Sequence, residues 1–422
     1  MMNKATWDFA RLHRDDDPRR LALSGTRAHD VDLGAALQQI AGWQAARRKL
    51  PTWAATEGLL YPARLSMEQC SSEATARYKA GIVSRLGASS LCDVTGGFGV
   101  DFAFMGQALS GDGAARRAVY IERQEELCRI VEHNIGVLRL DQAEVVCGDG
   151  TAWLQQHDEP FDMVFADPAR RDAHGGRTYA LPDCSPDATL LLPLLRQRAR
   201  HVLLKLSPML DWRQAAAQLP GTTAVHIVSV QNECKELLLL LDFTAPSGQP
   251  LQVVCVDLSP ATQGAGHEVR DMFSYEVQQQ SEHGSGPLAP RNPHTTRNYL
   301  YEPNASVMKA GCFELLCRRF GVEQLAANSH LFTSDVPAAG FPGRAFRILA
   351  VSSLNKKELR QTLRGLTQAN IAVRNFPLTA AELRRRLKLR DGGDIYLFAT
   401  TQADGSHVLF ACEKTVSSPS SE

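Results

Sequence analysis

The chain has 422 residues with 46 basic and 46 acidic side chains, so its formal net charge is zero and it is long enough for several domains with sizeable cores. It has no run of eighteen apolar residues, and residues 1–18 are charged and lack the apolar stretch of a signal peptide, so we expect neither a membrane protein nor a secreted one. Ten cysteines without a Cys-x-x-Cys pair predict reduced thiols in a cytoplasmic protein and no metal site.

The first 84 residues predict a helical region. Apolar residues recur at helical spacing over 31–43, and Ser66 with Gln69 forms a capping-box pattern before an amphipathic run that ends at Leu86. We therefore expect a helix from this pattern to the start of the next domain.

An α/β core follows over residues 85–245. A strand at 90–94 ends in the turn Thr95-Gly96-Gly97-Phe98-Gly99, which opens into an apolar helix at 102–109. Such a turn lets the backbone approach a ligand at the carboxyl edge of a parallel sheet, where α/β proteins bind nucleotides. Six further strands are predicted at 118–121, 144–147, 163–166, 201–206, 224–230 and 237–243.

A carboxylate follows or ends each of the first four strands. These residues are Asp93, Glu122, Asp149 and Asp167, at intervals of 29, 27 and 18 residues. Because the carboxyl ends of parallel strands meet at one edge, the four acids predict a nucleoside site. A dinucleotide-binding dehydrogenase shares the glycine turn and the second acid, but it does not account for Asp149 or for Asp167-Pro168. We expect Asp101 to cap the helix after the turn.

This order of motifs resembles the class I S-adenosylmethionine-dependent methyltransferases, which have a Rossmann-like seven-stranded core. The resemblance implies S-adenosyl-L-methionine as cofactor, with contacts from Asp93, Thr95, Gly97, Gly99, Glu122 and Asp149. In the family pattern the first acid and the glycine backbone face the methionine part, the second acid binds the ribose hydroxyls, and the third accepts from the adenine amino group. Thr95 stands where the commonest form of the loop has its first glycine, although Asp-x-Thr variants occur among ribosomal RNA methyltransferases.

The same resemblance places the substrate-side motif at Asp167-Pro168-Ala169-Arg170. In amino-group methyltransferases this motif ends in Pro-Pro-aromatic, and the aromatic ring stacks on the extruded base. Ala169 and Arg170 replace that ending and argue against an exocyclic amine, whereas Asp-Pro at this position recurs in nucleobase enzymes and favours that amine or another base position as the acceptor. Arg170 and Arg171 are candidates for a phosphate clamp, with a surface salt bridge as the alternative.

A second set of residues suggests a different chemistry. Ribose 2′-O-methyltransferases use a Lys-Asp-Lys-Glu set in which a lysine activates the hydroxyl, and Lys79, Asp167, Lys205 and Glu233 occur in that order. An ion pair between Lys205 and Asp167 is the competing interpretation, and it also places Lys205 in the site.

The C-terminal part of the chain differs in composition from the core. The segment 244–298 is rich in Gly, Pro, Ser and Gln and predicts a linker with one strand at 251–258. Helices are predicted at 305–320 and 356–366, and Thr379 with Glu382 forms a capping box. Residues 341–422 contain 13 basic and 7 acidic side chains, a net charge of +6 that suggests a polyanion-binding module, with a solvated charged helix face as the alternative for the basic cluster at 384–390.

This part resembles a little-characterised family in which the methyltransferase core precedes a ferredoxin-like unit and a THUMP-like domain. The matching stretches are 300–304, 373–377 and 387–394. The resemblance implies a linker and ferredoxin-like unit over 246–340 and a THUMP-like α+β domain over 341–416. Since THUMP domains generally bind RNA, it also implies tRNA or rRNA as partner.

The sequence thus favours methylation of a base in structured RNA. Ribose 2′-O-methylation, methylation of a small molecule, and RNA binding without catalysis remain alternatives.

Overall fold

The computed structural model describes residues 2–23, 30–111, 116–170, 181–259, 269–277 and 297–415. These residues form two compact units, one with the residues up to 270 and 274–277, the other with 271–273 and 297–415. Within these ranges no helix has the length and apolar character needed to cross a membrane.

Helices make up the N-terminal part of the first unit. They are α1 (Lys4–Leu12), α2 (Pro18–Leu23), α3 (Leu33–Lys49), α4 (Pro51–Ala55), α5 (Arg64–Gln69) and α6 (Glu73–Arg85). The helix expected from Ser66 to Leu86 is wrong in one respect, because the backbone is extended at Cys70, with ψ of 159°. Ser72 then caps α6 by accepting a hydrogen bond from the Thr75 amide. The break separates α5 from α6 and leaves Ser71 between them.

A mixed sheet forms the centre of the first unit. The strands in the described part of this unit are β1 (Ser90–Asp93), β2 (Arg117–Glu122), β3 (Ala143–Cys147), β4 (Phe161–Ala166), β5 (Ala169–Arg170), β6 (Cys184–Ser185), β7 (Ala199–Leu206), β8 (Thr222–Val230), β9 (Glu233–Asp242), β10 (Leu251–Leu258) and β11 (Val269–Val277). Those of the large sheet run in the order β11-β10-β8-β9-β7-β4-β1-β2-β3, while β5 and β6 pair separately.

The predicted Rossmann-like seven-stranded core is confirmed. β3, β2, β1, β4 and β7 are parallel neighbours, and β9 runs antiparallel between β7 and β8. β10, which the sequence suggested lay in a linker, pairs with β8 in parallel and extends the same sheet. Five helices connect the strands: α7 (Val100–Gln107), α8 (Glu125–Leu138), α9 (Gly150–Gln156), α10 (Ala188–Arg198) and α11 (Trp212–Gln218). The carboxyl ends of β1 to β4 therefore share one edge.

Apolar side chains on this sheet form its core with the adjacent helices. Leu91 and Met163 are fully buried, and they belong to one cluster with Ile82 of α6 and Phe102 of α7. Burying a large apolar side chain stabilises the fold by about 1.5 to 3 kcal/mol, so this packing fixes α7 and the loop before it against the sheet.

The second unit is an α+β fold. Its described elements after β11 are β12 (Tyr299–Pro303), α12 (Ala305–Ala310), α13 (Phe313–Phe320), β13 (Glu323–Gln324), β14 (Phe332–Ser334), β15 (Gly343–Ser353), α14 (Lys356–Thr362), β16 (Asn370–Arg374), α15 (Ala380–Leu387), β17 (Ile395–Thr401) and β18 (His407–Lys414). The strands form one sheet in the order β13-β14-β12-β15-β18-β17-β16. The helix expected at 305–320 is two helices, because Gly311 adopts φ of 67° and ends α12.

The two faces of this sheet bury different clusters. Phe346, Phe398 and Phe410 pack on one face. On the other face Leu359 of α14 and Leu383 of α15 join one cluster with Leu397 and Leu409, so both helices cover that face. The predicted capping box at the start of α15 is confirmed.

Glu302 links distant strands of this sheet. Its side chain on β12 is 2% exposed and is bound by Arg344 on β15 and Arg374 on β16. Three strands lie between β12 and β16 in the sheet order, so the sheet must curve for this contact to form.

Candidate active site

The loop between β1 and α7 is held by side chains of β2. Gly97 and Gly99 have φ of 56° and 75°, a region that glycine adopts without strain. The Gly97 amide donates to Glu122 Oε2 at 3.0 Å, and the Tyr120 hydroxyl donates to the Gly97 carbonyl at 2.5 Å. The loop backbone is therefore positioned by the neighbouring strand.

Thr95 links the ends of two strands. Its amide and its Oγ1 donate to Asp93 Oδ1 at 2.9 Å and 3.3 Å, and its Oγ1 accepts from the Asp167 amide at 2.7 Å. Glycine at this position would lack that hydroxyl, which gives the departure from the commonest loop a physical reason. Burial raises the pKa of Asp93 to about 8, and the nearby carboxylates of Asp101 and Asp167 act in the same direction.

The Glu122 carboxylate points into the loop and the cavity beside it. Besides the Gly97 contact, Oε1 accepts from the Gln124 amide at 2.9 Å. A carboxylate has about four lone-pair sites, so two remain for other partners.

Asp149 is engaged elsewhere. Its Oδ1 accepts from the Ala152 amide at 2.8 Å as the N-cap of α9, and its Oδ2 pairs with Arg123. The hydrogen bonds from the α9 backbone and the Arg123 guanidinium hold the pKa of Asp149 below its usual value. Gly148 and Gly150 on either side of it line the cavity.

A cavity of about 310 Å³ lies at this edge of the sheet. The glycine loop and Glu122 line one part of it, while Asp167, Ala169 and Lys205 line another. Its volume is at the lower end of the range of about 300 to 1,000 Å³ that is typical of small-molecule sites. Ser185 and Pro186 complete the wall beside Ala169.

A chain of alternating charges leads from the core to this cavity. Lys79 Nζ lies 2.7 Å from Glu236 Oε1 and 3.2 Å from Asp101 Oδ1. Lys205 Nζ lies 3.7 Å from Asp101 Oδ2 and 2.5 Å from Asp167 Oδ2. The order is Glu236, Lys79, Asp101, Lys205, Asp167.

Asp101 does not have the expected capping role. Gly99 is the N-cap residue of α7, and Asp101 lies in the first turn of the helix. Its Oδ2 accepts a hydrogen bond of 2.6 Å from Ser71, and its side chain is only 10% exposed. The two lysines lower the pKa of Asp101, although burial alone would raise it. From the first turn of α7, the Asp101 carboxylate points toward Lys79 and Lys205.

The structure brings together only part of the Lys-Asp-Lys-Glu set. Asp167 and Lys205 are in contact, but the side chain of Lys79 is fully buried behind Asp101. Glu233 is 73% exposed and pairs with Lys235, because it begins β9 directly after the turn at Gln231 and Asn232. Glu236 takes the place expected for Glu233, and it is the first residue of the buried stretch of β9.

The remaining sequence candidates lie at the edge of the described residues. The backbone of Arg170 belongs to β5, which pairs with β6. Arg171 lies outside the described residues.

Sequence reasoning missed Ser71 as a member of the charge chain, gave Asp101 a capping role, and chose Glu233 over Glu236 for the Lys-Asp-Lys-Glu set. For Glu236 a signal existed, since a charged residue directly before an apolar strand run must find a partner when it is buried.

Three family models match parts of the chain. A model of protein-L-isoaspartate(D-aspartate) O-methyltransferase matches residues 69–173, a ferredoxin-like domain model matches 299–342, and a THUMP domain-like model matches 343–414. No curated protein matches the sequence.

Solved structures are also similar to this chain. A structure described as a "putative methyltransferase" from Porphyromonas gingivalis W83 is 31% identical, with 98% of each chain covered and a TM-score of 0.83. An O-methyltransferase from Bacillus cereus in complex with SAH is 15% identical, with 47% of this chain and 99% of that chain covered and a TM-score of 0.33. The similarity to the Porphyromonas gingivalis protein extends over both units.

Proposed function

Because this chain belongs to the family of methyltransferases that carry a ferredoxin-like and a THUMP-like domain, we propose that it transfers a methyl group from S-adenosylmethionine to a base in structured RNA. The observation that carries the proposal is the cavity at the ends of β1, β2 and β4, where a glycine loop faces the Asp167–Lys205 pair.

The residues at the cavity fit the cofactor. Glu122 has lone pairs left for two ribose hydroxyls, and Gly97, where an added Cβ would meet only the Thr95 carbonyl oxygen at 3.8 Å, leaves the loop backbone open to the methionine part. Asp93 is a buried acid that lines the same cavity, and a cationic group bound there would lower its raised pKa. When bound, S-adenosylmethionine supplies an electrophilic methyl group on a positively charged sulfur.

Asp167 is the group that we assign to the acceptor. Its side chain is 40% exposed at the cavity, while its amide is fixed by the Thr95 hydroxyl. A carboxylate there can orient an N–H group by accepting its hydrogen and can take up the proton that the nitrogen loses. Lys205 holds that carboxylate in place from the side of the sheet.

The second unit supports RNA as the substrate. Exposed basic side chains without an ion-pair partner among the described residues lie on or beside α14 and α15, which cover one face of the sheet. They are Lys356, Lys357, Arg360, Arg364, Arg385, Arg386, Lys388 and Arg390. Such a layer of cations suits a phosphate backbone. All ten cysteines are free, which supports a cytoplasmic location.

The test is methyl transfer from labelled S-adenosylmethionine to unmodified total RNA, with the nucleosides analysed by mass spectrometry. We expect the full-length protein to yield a methylated base, and Asp167→Ala to abolish transfer. Asp158→Ala is the matched control, because Asp158 precedes β4 at its opposite end and its side chain is 90% exposed.

Each alternative has its own outcome. A 2′-O-methyl nucleoside as product would replace the base by the ribose as acceptor. Transfer to a small molecule but not to RNA, or salt-sensitive RNA binding without transfer, would contradict the proposal. Full activity of Asp167→Ala would remove Asp167 from the reaction.

A further inference from the structure

Five charged side chains form an unbroken series between the core and the cavity. The inner pair, Glu236 and Lys79, is 4% and 0% exposed, and exposure then rises through 10% and 14% at Asp101 and Lys205 to 40% at Asp167. The inner end is therefore fixed by packing and the outer end meets the substrate. A residue in the middle of the series contacts both ends, so the fixed position of the buried Glu236–Lys79 pair determines the position of the group at the cavity.

Asp101 is that middle group. Lys79 Nζ donates to both oxygens of Glu236, at 2.7 Å and 2.8 Å, and to Ser71 Oγ at 3.3 Å. Ser71 in turn donates to Asp101 Oδ2, the oxygen that lies nearest to Lys205. Ser71 and Lys79 thus hold the Asp101 carboxylate from one side, and its other side is turned toward Lys205.

We propose that Asp101 is a positioning residue that holds Lys205 as an ammonium ion against Asp167, so that the site methylates a nucleobase nitrogen and not a ribose hydroxyl. The inference rests on the proposed function and specifies its acceptor.

The chemistry follows from the charge of Lys205. A ribose hydroxyl is a very weak acid, so its proton must go to a base as strong as a neutral amine and a carboxylate such as Asp167 does not suffice, whereas a nitrogen acceptor attacks through its own lone pair. In the reaction the nitrogen lone pair forms the bond to the methyl carbon while the carbon–sulfur bond breaks and its electrons stay on sulfur. The nitrogen's proton passes to Asp167 and then to water. A protonated Lys205 takes no proton in this step.

The surroundings keep Lys205 charged. Burial favours the neutral amine, but the carboxylates of Asp167, Asp101 and Glu236 outweigh it and raise the pKa of Lys205 above its usual value. The Cys70 thiol also interacts electrostatically with this amine. Lys79 is the other cation nearby, and it contacts Asp101, the carboxylate that lies between the two lysines. Removing the charge of Asp101 without changing its shape should therefore increase the neutral fraction of Lys205.

Amine reactivity measures that fraction without any substrate. We would treat wild-type protein and Asp101→Asn with formaldehyde and a borane reductant at pH 7.5, 8.5 and 9.5, and follow methylation of Lys205 by peptide mass spectrometry. We expect Lys205 to react at least fivefold faster in Asp101→Asn at each pH, since one pKa unit is a tenfold change in the neutral fraction. Lys357, an exposed lysine without an ion-pair partner among the described residues, provides the internal standard in all the proteins compared.

Glu233→Gln is the matched control, because it removes a carboxylate of the same strand as Glu236 but outside the cavity. We expect it to leave Lys205 reactivity at the wild-type rate. If Asp101→Asn does not fold, Ser71→Ala removes only the hydroxyl behind Asp101, and we expect a smaller acceleration in the same direction. Equal Lys205 rates in the folded variants and the wild type would overturn the inference.

Activity provides the second readout. In Asp101→Asn we expect kcat to fall while the affinity for S-adenosylhomocysteine stays within twofold, and Asp101→Glu to restore part of kcat. A 2′-O-methyl product would overturn the assignment of the acceptor. Absence of transfer by the wild-type protein would contradict the proposed function, while the lysine reactivities would still report on Asp101.

Discussion

At the scale of single residues, Glu122 connects the glycine loop with the ligand that the loop faces. Charge-assisted hydrogen bonds contribute about 1.5 to 3 kcal/mol each, so losing two to the ribose should cost more than one factor of ten in affinity. We predict that Glu122→Ala weakens binding of S-adenosylhomocysteine at least tenfold in isothermal calorimetry. The variant also loses the contacts to the Gly97 and Gln124 amides, so its melting temperature must be recorded.

Glu125→Ala is the control for this measurement, because Glu125 begins α8 three residues later with a side chain that is 75% exposed. We expect its affinity to equal that of the wild type. Unchanged affinity in a folded Glu122→Ala protein would remove Glu122 from the cofactor site.

Asp93 makes stability depend on pH. Its pKa is about 8 in the folded protein and about 3.9 in the unfolded chain, so between these values the folded state binds more protons and stability falls as the pH rises. We predict that Asp93→Asn, which keeps an acceptor for the Thr95 amide, lacks this loss. In urea unfolding at pH 5 to 9, its stability relative to the wild type should increase up to pH 8 by at most about 1.4 kcal/mol per pH unit and then level off. A constant difference over this range would contradict the prediction.

Some residues of the candidate site follow from local sequence and others do not. The glycine turn, Glu122 and Asp167 stand at strand ends that apolar patterns reveal. Asp101 follows a glycine turn as a capping residue would, yet its side chain turns to two lysines that are 22 residues before it and 104 after it in the chain. Because these partners lie so far from Asp101 in the chain, no spacing in the sequence indicates the contacts.

At the scale of elements, α14 and α15 present the basic layer of the second unit. We predict that replacing Arg385, Arg386 and Lys388 by Ala weakens RNA binding and lowers the salt slope by up to roughly 2 to 3, since each phosphate contact contributes about 0.7 to 0.9. Filter binding of tRNA and rRNA fragments from 50 to 300 mM salt measures both quantities. Cofactor binding should not change.

Replacing Arg19, Arg20 and Arg129 by Ala removes the same charge from α2 and α8 of the first unit. If both triple variants lower affinity and slope equally, RNA binding follows total charge, and α15 has no special part in it.

Helix starts were easier to predict than helix breaks. The capping box at Thr379 and Glu382 is confirmed because both of its hydrogen bonds are local. The break between α5 and α6 was missed, because Ser66 and Gln69 imitate a cap while the actual cap is Ser72. Apolar periodicity continues through such a break when both helices pack on the same core.

At the scale of the whole molecule, the order of strands and helices identified the fold of the first unit. Of its last two strands, β11 was not expected and β10 was expected as a strand within a linker, because Gly, Pro and Ser surround both, while β10 is buried by pairing with β8. Composition alone does not distinguish a polar connection from the turns at the end of a sheet.

The second unit should not divide where its two family models meet. β12 pairs with β15 along five residue positions, and Leu300 and Phe346 belong to one buried cluster. We predict that a fragment of residues 297–415 unfolds cooperatively in urea, and that a fragment of residues 343–415 unfolds at a lower urea concentration because β15 loses its neighbour. Equal midpoints would show that the THUMP-like part is independent of β12.

The contact of Glu302 with Arg344 and Arg374 has a consequence for recombination between related genes. Glu302 lies in the region matched by the ferredoxin-like model, and both arginines lie in the region matched by the THUMP-like model. A crossover between the codons for residues 342 and 343 would therefore combine a glutamate and two arginines from different genes, which had not been selected together. Exchange between related genes should therefore succeed when it moves residues 299–414 as one block. We therefore expect the ferredoxin-like and THUMP-like regions to be inherited together.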